Sequence, residues 1–247
     1  MGWFSTRIVD HHVAEWQFEN FEWLIRQYGS GHLSGSDALY SSNKPTEEPE
    51  KQIVKTIFFE VMSHIGLQDI EIELVPTIEN KPWQVDDLLV VQTENHGAMG
   101  RYICEQLTDG SYKETITYDQ DLIATPELLA GTFAHELSHL LHNRATEKIP
   151  VEDELYELFT DLTAIFLGFG VLLANQKFDF SQTQSNSSQG WRSQSTGYLP
   201  EADMIFATAI FLAIYQLPEQ LAANSLKPHL AKLLTKANEG ATISTRN

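Results

Sequence analysis

Only one cysteine, Cys104, occurs in the 247 residues. A lone thiol cannot close an intramolecular disulfide, and it cannot build a cysteine-based zinc site. Any metal would have to be held by His, Asp or Glu. Positive charge is scarce as well. Sixteen Lys and Arg face 34 Asp and Glu, for a formal net charge of −18. The basic residues are scattered singly, so no cationic stripe exists for a phosphate backbone or an anionic bilayer. Neither nucleic acid nor membrane is expected as a partner. Long hydrophobic runs are missing too. The uncharged stretch from Leu162 to Ala174 has 13 residues, short of the roughly 20 that span a bilayer. The N-terminal residues hold no apolar core of a secretory signal, so a cytoplasmic protein is expected.

What is present suffices for a core: 42% of residues are hydrophobic and 11% aromatic, as in globular proteins. Trp16, Phe21, Trp23 and Leu24 recur at helical spacing between residues 10 and 28. Residues 51–65 repeat that period up to Gly66. The polar stretch Ser30 to Glu50, with Pro45 and Pro49, reads as a loop. Ile70, Ile72 and Leu74 then alternate with other residues as in a strand, and Leu88 to Val91 is a short apolar run. Arg101 to Gln106 and Tyr112 to Tyr118 flank Asp109-Gly110, a hairpin signal. These segments predict a small, mostly antiparallel sheet over residues 69–119. Further helices are predicted at Pro126 to His142, Glu152 to Ala174, 200–216 and 218–238, with a Ser- and Gln-rich loop at 179–197. The fold class is α+β. One domain is expected over 1–247, with a helical part (1–66), a β-rich part (67–124) and a helical part (125–247).

His135-Glu136-Leu137-Ser138-His139 is an HExxH motif within one of these helices. Residues four apart share a helix face, so both imidazoles can address one ion, and imidazole is a good zinc ligand. Glu136 sits beside that face, placed to reach a water rather than the metal. With nine histidines in the chain, chance supplies about 0.03 such motifs, so context has to decide. Phe133, Leu137, Leu140 and Leu141 can pack the motif helix into an interior that holds the ligands. Two histidines need a third protein ligand, with a further position left for water. Glu157 on the next helix is placed to be that ligand, with Glu154 and Asp161 as its rivals. Asp161 lies one turn beyond Glu157. A carboxylate in so apolar a run needs a partner, and a carboxylate commonly steadies the second ring N–H of a metal-bound histidine.

HELSH followed by Glu157-Leu-Phe-Thr-Asp161 resembles the gluzincins, the thermolysin-like zinc metallopeptidases, over residues 132–161. The resemblance implies a zincin-like fold and one zinc ion held by His135, His139 and Glu157. It implies Asp161 as the carboxylate orienting a zinc-bound histidine, and Glu136 as the base that activates water to cleave a peptide or protein substrate. The strand Glu114 to Tyr118 fits a pattern in which a sheet edge lines the substrate cleft. The chain is also similar to uncharacterised bacterial proteins that pair an HExxH helix with a TDL…LGFG helix and a later GYL segment. It departs from thermolysin in a shorter gap between His139 and Glu157. It lacks the metzincin continuation, since position 142 is His and position 145 is Ala. Tyr198, His229, Tyr156 and His142 are the candidates for stabilising a transition state. His142 is expected to be exposed or just behind the ligands, while the adjacent His11 and His12 are expected to point to different sides of a helix. The alternative to a peptidase is a catalytically silent zincin-like binding or regulatory module.

Overall fold

In a computed structural model of the chain, residues 8–29, 39–40, 50–77, 99–176 and 199–244 are described. Helices α1 (His11–Tyr28) and α2 (Glu50–Ile65) precede three strands, β1 (Glu73–Thr77), β2 (Gly100–Gln106) and β3 (Tyr112–Asp119). The motif helix α3 (Pro126–Asn143) follows. A helical run, α4 (Asp153–Gln176), leads to α5 (Glu201–Ile214), the short α6 (Glu219–Ala223) and α7 (Pro228–Ser244). The fold is α+β. Two compact units share the chain: residues 42–143, and residues 1–41 together with 144–247. The expected Leu88 to Val91 strand and the Ser- and Gln-rich loop at 179–197 lie outside the described residues.

In the unit of residues 42–143 the strand order is β1-β3-β2. The hairpin is antiparallel, with Gly100 opposite Tyr118 and Gln106 opposite Tyr112. β1, however, runs parallel to β3, with Glu73 opposite Thr115 and Thr77 opposite Asp119. The sheet is therefore mixed rather than mostly antiparallel. The strand order makes the difference: β1 pairs not with β2, the next described strand in the chain, but with β3, which runs in the direction of β1. β1 also carries Pro76, which has no N–H to give and suits an outer strand. The strand Glu114 to Tyr118, expected as part of an edge, lies in the central strand β3; β2 is an outer strand.

α3 covers this sheet with Phe133, whose ring meets Phe58 of α2 and Tyr118 of β3 at centroid distances of 5.0 and 5.9 Å. Every residue of α3 from Leu129 to Ser138 is buried. A helix enclosed on that scale must satisfy its hydroxyls internally. Thr132 donates to Leu128 O at 3.0 Å and Ser138 to Ala134 O at 2.8 Å, the back-bonding that short hydroxyl side chains allow. Burying a large apolar side chain such as Phe133 contributes about 1.5–3 kcal/mol.

In the other unit, Phe21 and Trp23 of α1 set their rings edge-on against Phe166 and Phe159 of α4, at 5.9 and 5.6 Å. α4 is one helix by period but not by geometry. It opens with a 3-10 turn at Asp153–Leu155, is α-helical over Tyr156–Ala164, and widens to a π turn at Ile165–Phe169. Within that turn Gly168 has φ +97°, a conformation open chiefly to glycine, and its carbonyl accepts from Tyr40 N–H at 3.0 Å. α4 is long and apolar enough to cross a bilayer, yet 89% of its apolar window is buried in the structure. The helix expected over 218–238 is broken instead. Pro228 opens α7, and proline fits a first helical turn but not an interior.

A Cβ on Gly170 would strike Thr208 Oγ1 of α5 and come within 3.0 Å of Ile165 Cγ2. Thr208 is fully buried, so it has no room to yield. Gly170→Ala is expected to lower stability by about 1–3 kcal/mol through overpacking. Urea unfolding followed by circular dichroism checks this; an unchanged midpoint would contradict the contact.

Candidate metal centre

The HExxH residues occupy the centre of α3, where the helical register sets His135 and His139 on one face. Their rings are 4.9 Å apart at 78°. His135 is buried and His139 half-buried. Glu136, beside that face, is only 6% exposed. A buried carboxylate needs donors, and one of them is main chain: Tyr102 N–H donates to Glu136 Oε2 at 2.7 Å.

The pleat of β2 explains why this donor is available. Asp119 N–H donates to Met99 O at 2.9 Å, so alternate residues from there, Arg101, Ile103 and Glu105, turn their main-chain groups to β3. Gly100, Tyr102 and Cys104 turn theirs outward. At Tyr102 the Glu136 carboxylate of α3 accepts where the carbonyl of a further strand otherwise would. The approach is close, since a Cβ on Gly100 would lie 2.6 Å from Thr132 Cγ2 and 3.2 Å from Glu136 Cγ.

The side chain of Tyr102 reaches α3 a second time. Its hydroxyl donates to Glu114 Oε2 at 2.5 Å and accepts from Asn143 Nδ2 at 3.1 Å. Burial first, and then the bond to the Glu114 carboxylate, hold the phenol well above its ordinary pKa. It remains a neutral donor. Tyr102 thus ties β2 to the middle of α3 through its main chain and to the last residue of α3 through its side chain.

In the other unit, Glu157 stands exposed in the first turn of the α-helical part of α4. Asp161, one turn on, is 1% exposed. The need for a partner is met: Asp161 Oδ2 accepts from Leu199 N–H at 2.9 Å. Glu154 is exposed within the 3-10 entry of α4. Burial, and after it the Glu157 carboxylate, raises the Tyr156 hydroxyl pKa. His229 is exposed, with Nε2 3.9 Å from Glu201 Oε2. His142 is buried rather than exposed, its ring 6.3 Å from that of His139. Tyr198 lies outside the described residues.

His135 and His139 can address one ion from α3, while Glu157, Glu154 and Asp161, the candidates for a third ligand, belong to the other unit. Two imidazoles with one carboxylate would suit zinc and leave a coordination position over. Within one unit, His11, His12 and Glu15, all exposed, offer ligand atoms within 4.8 Å of one another. The two histidines do not diverge as expected: His11 Nδ1 and His12 Nδ1 lie 2.9 and 3.9 Å from the same Glu15 oxygen.

Sequence reasoning missed Gly100, Tyr102 and Leu199. Tyr102 and Leu199 act through main-chain N–H groups, which every residue but proline carries, so residue type held no signal. Gly100 did hold one, because glycine inside a strand often marks a close approach.

Asp161→Ala would remove the acceptor of a buried N–H, at a cost of about 1–3 kcal/mol. Asp161→Asn, which keeps an acceptor oxygen, should cost less. Chemical denaturation of both variants checks the order, and a wild-type midpoint for Asp161→Ala would contradict it. Compared with protein-family profiles, curated proteins and solved structures, the chain matches none of them.

Proposed function

We propose that the protein is a zinc-dependent hydrolase that cleaves peptide bonds, with His135, His139 and Glu157 as the metal ligands. The observation that carries this reading is the HExxH face of α3, where the rings of His135 and His139 lie 4.9 Å apart with Glu136 beside them. Glu136, inside the HExxH motif, adds a base that the metal does not need as a ligand. A bound zinc ion would supply Lewis acidity, polarising a carbonyl and acidifying water.

The chain's own residues do the rest. His135 and His139 present neutral imidazoles from one helix face. Glu157 completes the set with a carboxylate. Asp161, one turn beyond Glu157 on the same helix, is the carboxylate assigned to steady a ring N–H of a liganding histidine, as such groups commonly do. Glu136 takes a proton from the attacking water and passes it to the leaving amine, so that the nitrogen departs neutral. The substrate is then a peptide or protein, and the reaction adds one water across one amide bond.

Purified protein should contain close to one zinc per chain by elemental analysis, and His139→Ala should lose it. Glu136→Gln should keep the zinc while hydrolysis of a quenched peptide library falls by about 10²–10⁴-fold. Protein without zinc, or a Glu136→Gln variant as active as wild type, would overturn the reading.

A further inference from the structure

β2 and α3 make contact where two features coincide: a glycine whose missing Cβ lets the helix in, and an outward main-chain donor two residues later. Gly100 has Thr132 and Glu136 against it. Tyr102 N–H then meets Glu136 Oε2 at 2.7 Å. We propose that Tyr102 is a positioning residue whose main-chain N–H holds Glu136 in one orientation, so that the outer strand aims the general base. The proposal rests on the peptidase reading and adds to it the element that sets the base.

A glutamate side chain has three rotatable bonds, and a base must be within hydrogen-bond reach of the proton it removes. A bond to Oε2 restricts where the carboxylate can point. The donor is itself held. Tyr102 is gripped at its hydroxyl by Glu114 and Asn143, so its N–H cannot drift along the helix. The main-chain origin of the bond has a further consequence: no side-chain substitution at position 102 removes it, except proline. Proline is compatible with this place in the ladder, because the Tyr102 N–H points away from β3 and its loss breaks no bond between the strands.

Two measurements test the proposal. In ¹⁵N-labelled protein, the Tyr102 amide proton should resonate downfield, and it should move upfield in Glu136→Ala. An amide signal indifferent to that substitution overturns the anchor. In peptide hydrolysis, Tyr102→Pro should lower kcat by about ten- to a hundredfold, as expected for a misaimed group. KM and zinc content should stay near wild type. Tyr102→Phe, which retains the N–H, should recover most of kcat. Wild-type kcat in Tyr102→Pro overturns the positioning role. If Tyr102→Pro fails to fold, Gly100→Ala presses on the same carboxylate through Glu136 Cγ. It should lose kcat and regain part of it with Thr132→Ser; no loss there counts against the proposal. Zinc-loaded wild type that cleaves nothing overturns the peptidase reading and the aiming role with it, while the amide shift still decides whether the anchor exists.

Discussion

Satisfying the buried carboxyl group of Glu136 is the constraint on which the unit of residues 42–143 turns. A carboxylate that far from water demands donors, and one of them comes from the backbone of β2. That solution dictates several other features. The strand must be an outer one, so that a main-chain N–H remains unclaimed by the ladder. Its pleat must turn Tyr102, not Arg101, outward. The residue two places earlier must lack a Cβ. Strand order, register and a single glycine therefore serve one electrostatic need.

The two carboxylates on α4 show contrasting answers to the same problem. Asp161 is enclosed and takes its donor from Leu199 N–H. Glu157, one turn earlier, stays at the surface of the helix and needs no such compensation. Hydroxyls in the helices fold back on carbonyls one turn before, as Thr160, Thr163 and Thr208 do. Polar groups without a role outside their own helix are thus quenched locally.

Much of the architecture was legible. α1, α2 and α3 follow from the spacing of their apolar residues, and the β2–β3 hairpin from Asp109-Gly110. HExxH foretold that His135 and His139 share one face of α3, because four residues make nearly one helical turn. The parallel pairing of β1 was not legible, since β1 pairs with β3 rather than with the next described strand, and a strand's own apolar pattern does not name its partner. The irregular course of α4 was hidden for a related reason. Its apolar period continues through the π turn, and only the left-handed Gly168 departs from a regular helix. Pro228 should have broken the last predicted helix, because its ring excludes the preceding hydrogen bond. Tyr102 and Leu199 stayed hidden because they act through groups common to almost every residue.

The outward face of β2 carries one more implication. An outer strand offers a row of unclaimed amides and carbonyls, the template from which chains stick to one another edge to edge. Here the amide of Tyr102 is capped by a carboxylate from the chain's own helix. A second chain drawing alongside would find a negative charge where a ladder requires a partner carbonyl. The same bond that serves a buried acid therefore also closes this point of the strand to another chain.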